Sequence, residues 1–170
     1  DYNNSLLLLR DSCLFWILLT TGMRIHEVLG IKRKAYRTET HDEETYYYIK
    51  TISEKTYTGE SEWIAPKIAV DAVKILERYS QNLQKRLESE LALAKKSNNY
   101  SEVNRLESIY NNVLLSHSLS TSSVSGLSGS AITSKRFPNL CSIINLDWNL
   151  STHQFRRTFA NYVVHSELGD

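Results

Sequence analysis

The sequence predicts a mixed, mainly α-helical domain that carries one small antiparallel β element. Three features predict it. A long apolar run near the start, LLLLRDSCLFWILLTT, ends at Gly22. The stretch from Thr45 to Ser53 is dense in aromatic and β-branched residues. Beyond Pro66, apolar residues recur at three- and four-residue spacing from Ile68 to Leu91 and again from Val103 to Leu114. The 170 residues suffice for one domain with its own core, and 41% hydrophobic with 23% charged residues places the chain among ordinary globular proteins.

The first helix is expected from a cap at Ser5 to about Thr21, with Gly22 placed to end it. Arg10 and Asp11 interrupt its apolar run, which is too short to span a bilayer and lacks a signal-peptide cleavage site, so a buried core helix in a cytoplasmic protein is expected. A short helix follows from Arg24 to about Gly30. Thr45–Ser53 reads as a strand, Thr58 to Ser61 as a turn and Glu62–Ala65 as the returning strand, with Lys34 to Thr40 as a further candidate strand. After Pro66 the helical spacing runs from Ile68 to Leu91, weakens at Ser97-Asn98-Asn99 and resumes from Val103 to Leu114. This predicts an antiparallel helix pair turning near Asn98. Residues 116–130, rich in Ser and Gly, read as a flexible loop. Another helix is expected between Ala131 and Asn145, disturbed at Pro138. The last runs from Ser151 to about Glu167, where Ser151 and Gln154 have capping-box spacing. No internal repeat is present.

Charge gives no general argument for a nucleic-acid partner, since 20 Lys and Arg face 19 Asp and Glu for a formal net charge of +1. Cys13 and Cys141 lie in apolar stretches and read as buried free thiols. Neither CxxC nor HxxxH spacing occurs, so no metal site and no cofactor are expected.

Three groups of residues have the chemistry of a phosphate site. In TGMRIHEVLGI, Arg24 and Glu27 are three apart and share a helix face. Alone, such a pair is an ordinary surface ion pair, but here it follows a core helix and a glycine break. In STHQFRRTFA, His153 and Arg156 share one face of the opening turns of a helix whose free N–H groups favour an anion. Phe155, Phe159 and Val163 fall on another face and would anchor that helix. Lys55 lies in the hairpin segment SEKTYTG; alone, a hairpin lysine is commonly solvated edge protection.

In this order, the three resemble one family, the tyrosine recombinases of the phage-integrase type. TGMRIHEVLGI is similar to that family's first conserved box and STHQFRRTFA to its second, with the β-hairpin lysine between them. The resemblance spans essentially the whole chain, apart from residues 81–130, where no family motif is recognised and a helical insertion (about 81–115) precedes the Ser/Gly loop (about 116–130). It implies a helical catalytic domain with a small β-hairpin that breaks and rejoins double-stranded DNA through a 3′-phosphotyrosine. It implies a synaptic homotetramer, no cofactor and no membrane association, and action at the bacterial nucleoid in the cytoplasm. Arg24 and Arg156 would bind the non-bridging oxygens of the scissile phosphate. His153 would donate to the same phosphate, Lys55 would protonate the leaving 5′ oxygen, and Glu27 would support Arg24. Lys32, Arg33 and Lys34, with Lys135 and Arg136, are candidates to track the DNA backbone.

The sequence departs from the family pattern in two places. Beyond the second arginine that pattern continues to a His or Trp and then to the nucleophilic tyrosine, yet only 14 positions follow Arg156, so the chain is expected to stop short of its nucleophile. Tyr162 does not match the nucleophile's place and reads as a helix-face aromatic, and Arg157 stands where many members carry a histidine. Three alternatives share parts of the pattern: a type IB topoisomerase, a non-catalytic DNA-binding remnant of an integrase, and a helical interaction protein built on residues 68–114.

Overall fold

The structure is a computed structural model that describes residues 2–53, 59–117 and 122–166. Helix α1 (Tyr2–Thr21) is the central element, and α3 (Lys67–Tyr79) and α8 (Thr152–His165) pack against it. Leu14, Ile17 and Leu18 from α1 are fully buried, as are Val70, Val73 and Leu76 from α3. Full burial of each such side chain stabilises by roughly 1.5–3 kcal/mol relative to exposure. Helix α1 begins ahead of the expected Ser5 cap and ends at Gly22, which takes φ +64°, the left-handed conformation that stops a helix and that glycine adopts without penalty. Among the described residues no helix is long and apolar enough to cross a membrane. Cys13 and Cys141 are buried free thiols, and burial pushes Cys13 up to about 11.

After α2 (Ile25–Leu29) come three antiparallel strands, β1 (Tyr36–His41), β2 (Glu44–Ser53) and β3 (Gly59–Ala65), in the order β1-β2-β3. The candidate strand at Lys34–Thr40 is thus real, and the returning strand starts earlier than expected, because Ser53 and Gly59 already pair. One residue ties the sheet to α2: buried Thr51 on β2 donates its hydroxyl to the Glu27 carbonyl at 2.6 Å.

Three expectations from the sequence need correction. The helix read through Ile68–Leu91 is two helices, α3 and α4 (Gln81–Lys96), parted at Ser80. Ser80 stays near helical angles, so the apolar periodicity runs on unbroken. What ends α3 is Arg33, whose Nη1 takes the Glu77 carbonyl at 2.7 Å. The partner helix, α5 (Tyr100–Ser108), follows a turn with Asn98 at φ +53°, as expected, but stops before Leu114. Residues 111–113 instead pair with 31–33, through Arg33 N–H to the Asn111 carbonyl at 2.8 Å and Val113 N–H to the Ile31 carbonyl at 3.0 Å. Finally, 116–130 is not wholly a loop. Strands β4 (Leu115–His117) and β5 (Val124–Gly126) pair there, although residues 118–121 lie outside the described residues. Side chains from α4 and α5 hold this hairpin: the Glu90 carboxylate accepts from Val124 N–H at 3.0 Å, and Arg105 donates to the Val124 carbonyl at 2.9 Å. Leu87, Leu106, Leu115 and Val124 form a small second core beneath it.

The helix expected over Ala131–Asn145 runs from α6 (Gly129–Ala131) through a π-helical turn at Ile132–Arg136 into α7 (Phe137–Ile143). Pro138 has no N–H to return to the preceding turn, which accounts for the widened turn just before it.

Candidate phosphate-binding site

Glycine 22 is where the two motifs meet. It leaves α1 in the left-handed conformation, and Phe159 of α8 lies directly over it. A Cβ at this position would overlap Cδ1 of Phe159 and stand 3.0 Å from Cγ. Only glycine lets the last helix approach this closely. Phe155, one turn earlier, is buried edge-on to Phe15 of α1 at 5.1 Å and against Phe137 of α7 at 5.3 Å. Val163, the third expected anchor, is exposed instead. The two phenylalanines fix α8 so that its first turns stand beside the loop between α1 and α2.

Arg24 sits at the N-cap of α2, half-buried. The carboxylate of Glu27 is fully buried and does two jobs there. Its Oε2 accepts from the Arg24 backbone N–H at 2.7 Å, closing the helix N-terminus, and its Oε1 pairs with Arg24 Nη1 at 3.1 Å. The guanidinium is held at one end and a third of the side chain remains open to solvent.

Arg156 is half-buried and donates Nη1 to the carbonyl of Gly22 at 3.4 Å, two residues before Arg24. This hydrogen bond links the two motifs across 134 positions of sequence. His153, one turn earlier on the same helix, is exposed and has no hydrogen-bond partner among the described residues. Ser151 precedes the helix with its N–H bonded to Gln154 Oε1 at 2.8 Å, as the spacing predicts. The structure thus brings Arg24, Glu27 and Arg156 together around Gly22, with His153 on the adjoining turn of α8.

Lys55 lies outside the described residues. Its flanking positions Ser53 and Gly59 are paired, and Thr51, four positions before it, is bonded to the Glu27 carbonyl.

The candidate backbone-tracking cations divide into two groups. Lys32 Nζ donates to the carbonyls of Tyr110 at 2.9 Å and Ser108 at 3.2 Å, and burial pushes its pKa down. Arg33 donates to Glu77 and Ser80. These two bind the chain to itself. Lys34 is exposed at φ +60°, with its N–H on the Glu77 carboxylate, and Lys135 is exposed on the π-helical turn. Arg136 is half-buried and lines a separate cavity.

Sequence reasoning gives His26 and Thr51 no role. His26 Nε2 is buried without a partner among the described residues, two positions after Arg24. Nothing in the residue pattern marks Thr51, since its importance arises from sheet-to-helix packing. Arg157 is exposed beside an apolar cleft, and Tyr162 is an exposed aromatic on α8. Among the described residues no three His, Cys, Asp or Glu side chains converge as a metal site.

No protein-family model, curated protein or solved structure matches this chain.

Proposed function

We propose that this chain is the phosphate-binding part of a tyrosine recombinase catalytic domain, a DNA breaking-rejoining enzyme of the phage-integrase type. The observation that carries the reading is the junction at Gly22. Arg156 of the second motif bonds to a backbone carbonyl of the first, more than a hundred residues away in sequence, and a buried carboxylate orients the guanidinium of Arg24.

A phosphodiester gains negative charge on its non-bridging oxygens as it is displaced, and fixed cationic donors lower that barrier. Arginine stays charged at all working pH values and offers a planar fork, so it serves this role better than lysine. In the proposed reaction a tyrosine oxygen bonds to phosphorus and the bond to the 5′ oxygen breaks. The phosphotyrosine conserves the bond energy for rejoining. Arg24 and Arg156 hold the non-bridging oxygens, His153 donates to the same phosphate, and Lys55 protonates the leaving oxygen. The attacking tyrosine is not assigned to any residue of this chain.

The test is covalent trapping. The protein, expressed from its full reading frame, is incubated with nicked duplex carrying its attachment sequence and run on a denaturing gel. An adduct that is lost in Arg24→Lys and in Arg156→Lys supports the reading. No adduct despite salt-sensitive DNA binding favours a non-catalytic DNA-binding module, and an adduct that both variants form at the normal rate sinks the site assignment.

A further inference from the structure

Toward the start of α1, about 18 Å along the helix from Gly22 to Arg10 by its rise per residue, lies a cavity of about 620 Å³ with an unusual charge balance. Arg10, Arg78, Arg136 and His117 line it, and among the described residues no Asp or Glu does. We infer that this cavity is a binding site for a phosphate-bearing ligand of mononucleotide size, separate from the site at Gly22.

Arg10 is only 1% exposed, so a charged group has been placed inside the core. Asp11 balances it: Oδ1 accepts from Arg10 Nε at 2.9 Å and from Nη2 at 2.7 Å. Nη1 has no partner among the described residues. Arg10 also lines the cavity, so the donor that Asp11 does not use is available to an acceptor there.

Arg78 and Arg136 are different again. Arg24, Arg37, Arg86 and Arg105 each pair with a carboxylate, but Arg78 and Arg136 have neither an ion pair nor a hydrogen bond among the described residues. His117 adds a ring nitrogen, Nε2, that is buried without a partner among the described residues. Four nitrogen-bearing side chains therefore face one space with donors unspent and a single carboxylate behind them. One carboxylate ligand would not satisfy them, whereas a phosphate with several acceptor oxygens would.

Both interruptions in the helical pattern build this cavity. The break at Ser80 sets Arg78 and Tyr79 on one side and Asn82 with Leu83 on the other. The π-helical turn before Pro138 ends at Arg136, and π turns of this kind often sit at functional sites. The volume exceeds what inorganic phosphate fills, and Leu6, Leu83 and Tyr79 offer an apolar wall for a ring beside the cations. The phosphate has two sources with the same chemistry, a free nucleotide or the end or backbone of a nucleic-acid strand.

The test is isothermal titration of the chain with dAMP, with inorganic phosphate and with a short duplex, for the wild type and for Arg78→Gln, Arg136→Gln and Arg24→Lys. Arg78 is exposed and Arg136 half-buried, so both variants leave the core intact, and circular dichroism checks this. The expected result is dAMP binding, tighter than inorganic phosphate, weakened tenfold or more by Arg78→Gln and by Arg136→Gln and unchanged by Arg24→Lys. If dAMP does not bind but the duplex does, with affinity lost in the same two variants, the site stands and its phosphate belongs to a strand. Absence of any binding that responds to Arg78 or Arg136 overturns the inference, whatever becomes of the reading at Gly22.

Discussion

Replacing Gly22 with alanine tests the junction on which the site depends. Two costs add. A residue with a Cβ pays roughly 1–2 kcal/mol to hold the left-handed conformation that Gly22 adopts at φ +64°. The Cβ also overlaps the ring of Phe159, and forcing a side chain aside in a packed region costs about 1–3 kcal/mol. A total of about 3 kcal/mol is expected. For 170 residues the entropy of unfolding is about 0.36 kcal/mol/K, so the melting temperature should fall by about 8 °C. Thermal denaturation followed by circular dichroism measures this directly. The Phe159→Ala background separates the two costs. There the overlap is gone, and Gly22→Ala should cost only about 1 kcal/mol, a coupling of about 2 kcal/mol. If Gly22→Ala shifts the melting temperature by less than about 2 °C, or costs the same with and without the Phe159 ring, the close approach of α8 to Gly22 is wrong, and the placement of Arg156 with it.

The remaining predictions concern charge. Arg24→Ala removes the guanidinium that pairs with the fully buried Glu27 carboxylate and should cost about 2 kcal/mol in a denaturant titration, whereas Arg24→Lys should cost less than about 1 kcal/mol. In the proposed cleavage reaction, Arg24→Lys should still lower the rate by about 10²-fold or more, because the guanidinium fork is lost. Lys34→Gln and Lys135→Gln should each lower the slope of log affinity for DNA against log salt by about one, while Lys32→Gln and Arg33→Gln should leave the slope unchanged and reduce stability, since both cations already serve main-chain carbonyls. The Glu62 carboxyl is held down to about 2 by its hydrogen bonds from Arg37. Its folded pKa lies below its unfolded value near 4.5, so its stabilising effect is present above that pH and is lost as pH falls through about 2. Glu62→Gln should therefore flatten the pH dependence of stability within that window, and an unaltered acid limb would refute the pairing.

The range of each interaction decides whether the sequence makes it legible. The end of α1 at Gly22, the pairing of Glu27 with Arg24, the Gln154 cap of α8 and the turn at Asn98 all depend on residues within a few positions of one another, and residue spacing shows them. The break at Ser80 depends on Arg33, which lies 47 positions away, and no local pattern changes there. The β4–β5 hairpin is hidden by its Ser- and Gly-rich composition. Its register depends on Glu90 and Arg105, which the sequence presents only as charges on helices. At the candidate site the same division holds. The spacing of Arg24 with Glu27, and of His153 with Arg156, can be read directly, but the contact that joins the pairs and the anchoring of β2 through Thr51 belong to packing alone.

The junction also shows how cations can be oriented without being used up. Arg24 gives one nitrogen to Glu27, and its formal charge is balanced there. Arg156 is turned by a neutral carbonyl at 3.4 Å, a long hydrogen bond, and its charge has no ion-pair partner among the described residues. A carboxylate in place of that carbonyl would hold Arg156 more firmly and would also compete with any phosphate for it. A carbonyl positions the guanidinium at far lower electrostatic cost to the incoming anion. Arg33 illustrates the contrary case. It too is held by carbonyl and hydroxyl oxygens, but at 2.7 Å to Glu77 and with a second bond to Ser80 it is committed to closing α3. Whether an arginine in this chain is structural or available to an anion is thus decided by the number and length of the bonds that hold it, and its position in a basic run such as residues 32–34 carries no such information.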